Sequence, residues 1–362
     1  MVWIGLLSYS LYLWHWPLFA FNRYFNNNIG TWWPIRLTLV AASFLLAWLS
    51  LRFVELPFRS RTVIRTRNHV FALSVGAVTA LVLVSVLLWK THGAKIRLSP
   101  EAQRLAAGAT DYVFQKGLTA KDIPDHLAQV GVLGLPPKVL IWGDSHAMAI
   151  LPAVDLACKK AGLSARAATT PATAPVLEWF LPSKYSILNE NAPAFNAAVL
   201  EYNRIAASQG LSHVILTAHW EMYLNKESSR NEPFQAALRK TVREIQSAGC
   251  HVVILIDVPR FSFNPPRVLA KNAFSGKLSN NLVNSSAQHL ADTAMQRPIL
   301  FDLVQHGVTV IDPAEFFTDT NGFIRPADSG GSFYRDNNHL STHGSYRLTG
   351  LFTTILQTGD SK

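Results

Sequence analysis

Residues 138–146 place a short apolar strand directly before a turn and a helix start, in the order Lys138-Val139-Leu140-Ile141-Trp142-Gly143-Asp144-Ser145-His146. The pattern predicts a helix over 147–162, further helices over 195–209 and 234–248, and further strands at 165–169, 213–217, 251–257 and 308–312. Strands that alternate with helices predict an α/β domain with a parallel sheet. Ligands of such sheets bind at the carboxyl ends of the strands, so Ser145 is a candidate site residue.

Composition divides the chain into two unequal parts. The 362 residues are 49% hydrophobic and 15% charged, which allows two or three domains and excludes a disordered chain. Residues 1–98 contain ten Lys and Arg and one acid, Glu55, whereas residues 99–362 contain 23 Lys and Arg and 22 acids. Seven of the ten Trp also lie in the first part. This pattern favours a membrane anchor and argues against nucleic-acid binding.

Three apolar runs in the first part are long enough to be transmembrane helices. They lie at approximately 2–21, 33–54 and 69–89, and about 20 residues suffice to cross a hydrocarbon core. Residues 1–92 are therefore predicted to form a membrane segment with about three spans. Residues 52–67, at the connection between the second and third spans, carry five arginines, so we expect this connection to be cytoplasmic and the chain after residue 90 to lie outside the cytoplasm.

A serine nucleophile needs a general base, which only has to meet it in space. The best candidate is His339, which follows Asp336 in an Asp-x-x-His pattern near the C-terminus. Asp144 is expected to be a helix N-cap that shapes the turn with Gly143. His339 and His343 also have the spacing of zinc ligands, but no third ligand is evident in the sequence, so no metal site is predicted.

These motifs resemble two families. Gly143-Asp144-Ser145 with the distant Asp336-x-x-His339 resembles the SGNH (GDSL-like) hydrolases and transferases over about 138–356. Residues 7–18 (LSYSLYLWHWPL) and 53–59 (FVELPFR) resemble the end of an acyltransferase-3 (AT3) membrane domain. The SGNH resemblance implies a flavodoxin-like, three-layer α/β catalytic domain at 138–362, after a periplasmic connector at 93–137. It implies that Ser145 is the nucleophile, His339 its base and Asp336 the residue that orients the imidazole.

The two resemblances together are similar to the fused cell-envelope O-acetyltransferases. They imply a multi-pass protein of the bacterial inner membrane, in contact with membrane lipid, that transfers an acyl group to a hydroxyl of an envelope polysaccharide such as O-antigen, lipopolysaccharide or peptidoglycan. No resident cofactor is implied, and acetyl-CoA would be the ultimate donor. The AT3 family has about ten spans, so we expect the others to come from a longer chain or a partner. Two alternatives stay open, a membrane-anchored esterase of the same glycans and an inactive envelope-binding module.

The oxyanion-hole residues of the SGNH family have no direct counterpart here. The family takes a glycine from its second motif block and an asparagine from its third, but residues 169–175 hold no glycine and residues 216–220 no asparagine. We offer His219 as a hydrogen-bond donor and Trp220 as a surface that stacks on a sugar, with core packing as the alternative for Trp220. Cys158 and Cys250 are either a disulfide or two buried thiols.

Overall fold

The computed structural model describes residues 2–25, 32–60, 66–91, 93, 95–113, 117–179, 191–227, 231–276 and 282–358. It divides into two compact units, Met1–Ser99 and Pro100–Lys362. Each unit is described by itself below.

The first unit is helical. Its elements are α1 (Val2–Phe25), α2 (Trp33–Ser50), a π-helical turn (Leu51–Glu55), α3 (Leu56–Arg59), α4 (Arg67–Lys90) and a 3₁₀ turn (Lys95–Arg97). By length and composition, two helical stretches of the described residues could cross a membrane, Trp33–Arg59 and Arg67–Lys90. The count of three spans stays a prediction. The hydroxyl of Ser10 in α1 donates a hydrogen bond to Glu55, so the two segments that resemble an AT3 domain are in contact.

The second unit contains a six-stranded sheet. Its strands are β1 (Ala128–Gly131), β2 (Pro137–Gly143), β3 (Ser164–Thr169), β4 (His213–Thr217), β5 (His251–Leu255) and β7 (Thr309–Ile311), in the order β1-β3-β2-β4-β5-β7. Only β1 is antiparallel to its neighbour among these pairs. Without β1, the order is that of flavodoxin-like sheets, with β2 at the switch point between its neighbours β3 and β4. The predicted fold class is confirmed.

Helices cover both faces of the sheet because alternate residues of each strand point to opposite sides. Leu140 and Trp142 of β2 enter one core, and Val139 and Ile141 enter the other. The long helices are α5 (Pro100–Ala107), α6 (Ser145–Ala161), α7 (Ala192–Ser208), α9 (Glu232–Ser247), α10 (Pro265–Phe274) and α14 (Thr349–Thr358). Apolar residues of α7 and α9 pack into the first core, and those of α6 and α14 into the second. The domain is therefore three-layered.

Short elements complete the second unit. They are the helices α8 (Trp220–Tyr223), α11 (Ser286–Asp292), α12 (Gln296–Phe301) and α13 (Thr342–Tyr346), the strands β6 (Asn284–Ser285), β8 (Phe323–Ile324), β9 (Ala327–Asp328) and β10 (Gly331–Ser332), and 3₁₀ turns at Ala120–Asp122, Asp302–His306 and Pro313–Phe317. They form two-stranded pairs, β6 with β8 and β9 with β10.

The predicted connector at 93–137 is in part a component of the domain. The second unit begins at Pro100, and the connector region supplies α5 and the edge strand β1. The backbone carbonyl and the carboxylate of Asp111 accept the N–H groups of Thr342 and His343 at 2.9 Å each. This part of the chain therefore packs beside the segment that carries Asp336 and His339.

Candidate active site

The structure brings Ser145 and His339 together from distant parts of the chain. Ser145 is the first residue of α6, directly after β2, and its Oγ lies 2.9 Å from Nε2 of His339. Its backbone N–H lies in the first turn of the helix and so has no intrahelical acceptor. The serine hydroxyl thus faces a ring nitrogen that can take its proton, beside a helix N-terminus that favours negative charge.

Asp336 holds the other side of the His339 ring. Its Oδ2 lies 2.9 Å from Nδ1 of His339, and its Oδ1 accepts the backbone N–H groups of His339 at 2.8 Å and Asn338 at 3.0 Å. Burial acts to raise the pKa of Asp336, but its hydrogen bonds and charge interaction with His339 outweigh it and lower the pKa below the ordinary value. The carboxylate is therefore ionised where His339 needs a charge partner.

Asp144 is the N-cap of α6, as the sequence predicts. Its Oδ1 accepts the N–H of His146 at 2.8 Å, and its Oδ2 accepts the N–H of His219 at 3.0 Å and the hydroxyl of Tyr223 at 2.7 Å. Burial raises the pKa of Asp144. Asp144 joins the turn before Ser145 to the loop after β4, so its role here is to shape the site.

His219 follows the end of β4 and lines the same cavity as Ser145. Its Nε2 lies 3.8 Å from Oδ2 of the buried Asp257. Burial, with a smaller contribution from the nearby charge of Arg260, lowers the pKa of His219 to about 4. The ring is therefore neutral near pH 7 and has one N–H to donate, which is compatible with the expected donor role.

Trp220 does not offer a surface for a sugar. Its side chain is 0% exposed, and its indole N–H donates to the carbonyl of Leu255 at 2.7 Å. Its backbone N–H donates at 2.7 Å to Asp257, two residues after the end of β5. Of the two roles that the sequence left open for Trp220, the structure shows core packing and not stacking on a sugar, because this buried ring holds the turn that carries His219.

His146 and Ala172 also line the Ser145 cavity, although the sequence did not indicate them as site residues. The buried ring of His146 stacks on His219 at 4.8 Å between centroids and lies 4.7 Å from that of His339. Burial lowers the pKa of His146 well below its ordinary value, so a neutral imidazole lies within 5 Å of each of the two other histidine rings. Its position directly after Ser145 was the sequence signal that could have indicated a place in the site.

Ala172 stands in the segment that lacks the expected glycine. Its φ is 53°, a left-handed conformation that glycine adopts more easily, and it lines the Ser145 cavity. The backbone at Ala172 has a conformation that glycine adopts easily, but an alanine in the sequence does not indicate this conformation. The Ser145 cavity has a volume of about 640 Å³ and is lined also by Pro171, Met222 and Lys226.

His343 lies outside the contacts of Ser145. Its Nε2 is 2.7 Å from Oδ1 of Asp328, and its ring stacks on Phe333. Among the described residues, no group of three or more His, Cys, Asp or Glu side chains is placed to hold a metal. Cys158 and Cys250 are both buried and are not joined by a disulfide.

Comparison with known proteins adds a family match and several structural likenesses. Residues 117–354 match the family described as "SGNH domain (fused to AT3 domains)". The periplasmic domain of a lipopolysaccharide acetyltransferase of Salmonella ser. Paratyphi A is similar at a TM-score of 0.48 and 15% identity, over 61% of this chain and 84% of that chain. A putative acylhydrolase of Bacteroides fragilis is similar at a TM-score of 0.37 and 10% identity, over 66% and 92% of the two chains. A GDSL-like lipase of Bacteroides thetaiotaomicron gives a TM-score of 0.35 and 10% identity, over 61% and 87%. A search of curated proteins finds no match.

Proposed function

The chain belongs to the family of SGNH domains that are fused to AT3 domains, and we propose that it is an O-acyltransferase that acts through Ser145. The observation that carries the proposal is the continuous contact from Ser145 through His339 to Asp336, at 2.9 Å in each step. A serine, a histidine and an ionised carboxylate in this order are the parts of an acyl-transfer site.

In the first half of the reaction, Oγ of Ser145 attacks the carbonyl carbon of the acyl donor while Nε2 of His339 takes the hydroxyl proton. The bond to the leaving group then breaks, and His339 returns the proton to that group. Asp336 keeps Nδ1 of His339 as the protonated nitrogen and stabilises the imidazolium. The product of this half is an acyl ester on Ser145.

In the second half, a sugar hydroxyl attacks the acyl-serine. Nε2 of His339 takes the proton of that hydroxyl, a new ester bond forms to the sugar, and the proton returns to Oγ of Ser145. Water in place of the sugar would release the free acid, so the transferase differs from an esterase in its acceptor and not in its acyl-serine.

The negative charge on the carbonyl oxygen needs hydrogen-bond donors. The backbone N–H of Ser145 at the start of α6 is one, and we assign the second to the neutral ring of His219, which lines the same cavity. A donor of this kind contributes most where it is fixed before the charge develops. Asp144 fixes the backbone of His219 through the 3.0 Å hydrogen bond to its N–H.

The family match supports the donor and the acceptor that we propose. An SGNH domain fused to AT3 spans suits an acyl group that originates as acetyl-CoA and is delivered through the membrane. The acceptor we propose is a hydroxyl of a cell-envelope polysaccharide, such as O-antigen, lipopolysaccharide or peptidoglycan, outside the cytoplasm. The apolar helices Trp33–Arg59 and Arg67–Lys90 suit an anchor in the inner membrane.

The test uses the full chain in detergent with p-nitrophenyl acetate as donor, with and without an envelope oligosaccharide. We expect an acetyl group on Ser145 by intact-mass measurement and its transfer to sugar when the oligosaccharide is added. Ser145→Ala should lose both. Ser247→Ala is the matched control, because Ser247 is exposed on α9 and its hydroxyl donates only within that helix.

Three results would contradict the proposal. Release of acetate with no transfer to sugar would identify an esterase. Absence of any acyl-serine would identify a binding module, and acylation that survives in Ser145→Ala would remove Ser145 from the mechanism.

A further inference from the structure

A second cavity lies beside the one that contains Ser145. It has a volume of about 770 Å³, and its lining includes Arg260, Phe261, Gln288, Asp292, Phe323 and Asn337. We call it the distal cavity. Arg260 lines both cavities, and the adjacent residues Asn337 and Asn338 line one each. The distal cavity is therefore a neighbour of the Ser145 cavity.

The charges in the distal cavity are paired with each other. Nη2 of Arg260 lies 3.1 Å from Oδ1 of Asp292, and Nε2 of Gln288 donates to the same oxygen at 3.0 Å. Arg260 and Asp292 supply one positive and one negative charge, so the lining has no net charge. The phosphates of a CoA or nucleotide would need unpaired cations here. The lining favours a neutral ligand.

The remaining lining combines aromatic and polar groups. The ring of Phe323 is 44% exposed, while Phe261 is buried and donates its backbone N–H to the carbonyl of Asn337 at 2.9 Å. The side chains of Asn337 and Ser262 are exposed and offer amide and hydroxyl groups. A sugar ring has an apolar C–H face and hydroxyls around its rim, which match an exposed ring bordered by such groups.

We propose that the distal cavity binds a neutral sugar unit of the acceptor glycan, next to the unit whose hydroxyl reacts at Ser145. The proposal rests on the proposed function and adds to it that the acceptor is an oligosaccharide of at least two units. The volume is within the range of about 300–1,000 Å³ found for small-molecule sites. Phe323 contacts the face of the sugar, and Asn337 bonds its hydroxyls.

The experiment measures binding and transfer with the full chain in detergent. The probes are glucose and N-acetylglucosamine as monomers and as oligomers of two to four units. Calorimetry on Ser145→Ala gives binding without reaction, and p-nitrophenyl acetate as donor gives transfer by the wild type. We expect the dimer to bind about tenfold more tightly than the monomer in one of the two series, since a tenfold change is a modest gain for one added sugar contact.

The variants separate the distal cavity from the chemistry. Phe323→Ala and Asn337→Ala should remove the preference for the dimer and raise KM for the oligosaccharide, with no change in the hydrolysis of p-nitrophenyl acetate. Phe301→Ala is the matched control, because Phe301 is 40% exposed and lies outside the distal cavity. It should keep the length preference.

Each failure has its own signature. If neither series prefers the dimer, or if the preference survives in Phe323→Ala and Asn337→Ala, the distal cavity is not a sugar site. If ester hydrolysis by the wild type does not depend on Ser145, the proposed function itself fails. In that case calorimetry on Ser145→Ala still shows whether the distal cavity binds sugar, because it measures binding without the reaction.

Discussion

Asp336 fixes His339 through both its backbone and its ring. The Oδ1 atom accepts the N–H groups of Asn338 and His339, while Oδ2 faces Nδ1 of the imidazole. An aspartate that accepts N–H groups two and three residues later forms a local turn, which is the reason that the Asp-x-x-His spacing suits this task. The same side chain thus sets the position of the ring and its tautomer.

We predict that Asp336→Asn lowers kcat for Ser145-dependent ester hydrolysis by on the order of 10⁴-fold, because the amide can present an N–H to Nδ1 and so favour the wrong tautomer. The substitution keeps an oxygen for the two backbone N–H groups, so circular dichroism should show an intact fold. Asp328→Asn is the control, since Asp328 contacts His343 outside the site. Equal losses in both variants would mean that the effect is structural.

His219 provides a second test at this scale. His219→Ala should lower kcat by about 10²- to 10³-fold, the usual cost of losing one oxyanion donor. His219→Gln keeps a side-chain N–H and should recover part of that loss. If His219→Ala raises KM and leaves kcat unchanged, the ring binds substrate and does not stabilise the oxyanion.

The pH dependence of activity should not report His219 near neutral pH. Burial lowers the pKa of this ring to about 4, so it stays neutral and keeps its donor from pH 5 to 8. Because the unfolded chain protonates this histidine near its ordinary pKa of about 6.5 and the folded protein only near 4, the free energy of unfolding should fall as the pH drops from about 6.5 to about 4. A loss of activity between pH 5 and 7 that persists in His219→Gln would therefore belong to another group.

At the scale of elements, the sequence predicted the strands that cross the core. His213–Thr217 has the predicted bounds, and the strand that begins at His251 ends at Leu255, two residues before the predicted end. Their apolar, β-branched residues bury both faces, which gives a strong signal. The edge strand Ala128–Gly131 was missed because it is short, includes a polar residue and pairs through its backbone with β3.

The candidate site was predictable only where its chemistry has a motif. Ser145, Asp336 and His339 stand in recognisable patterns, and the structure brings them into contact. The sequence left the burial of Trp220 open, since it depends on the packing of a four-residue helix against β5. The left-handed backbone of Ala172 also depends on tertiary context, because its residue type does not favour it.

The close approach of β2 and β4 beside the site depends on Gly143. A Cβ atom at this position would lie 1.8 Å from the carbonyl oxygen of Thr217, so a side chain would force the strands apart. We predict that Gly143→Ala lowers the free energy of unfolding by about 2 kcal/mol, as overpacking does, and lowers ester hydrolysis too. Gly350→Ala is the control, because nothing lies within 4 Å of its Cβ position in α14. Thermal unfolding followed by tryptophan fluorescence would measure the stability of the two variants. Equal stability of Gly143→Ala and Gly350→Ala would contradict the prediction.

At the scale of the whole molecule, the distribution of charge sets the expected orientation in the membrane. Residues 52–67, which lead into α4, carry five of the eight arginines of the first part, and the rest of the chain is nearly balanced. Arginine-rich loops stay in the cytoplasm, so α4 should lead outward and the SGNH domain should lie outside. An acyl acceptor in the cell envelope requires this orientation.

The native cysteines make this orientation measurable. Cys158 and Cys250 are buried, and burial raises the pKa of Cys158 to about 12, so neither thiol should react quickly with a maleimide in the folded protein. We predict that an impermeant maleimide labels Ser247→Cys, on the exposed side of α9, in intact spheroplasts, and labels Ser60→Cys, at the end of α3, only after the membrane is permeabilised. The unsubstituted chain gives the background in both conditions. The reverse pattern would place the SGNH domain in the cytoplasm, where acetyl-CoA could reach Ser145 directly. Delivery of the donor by the membrane helices would then not be needed.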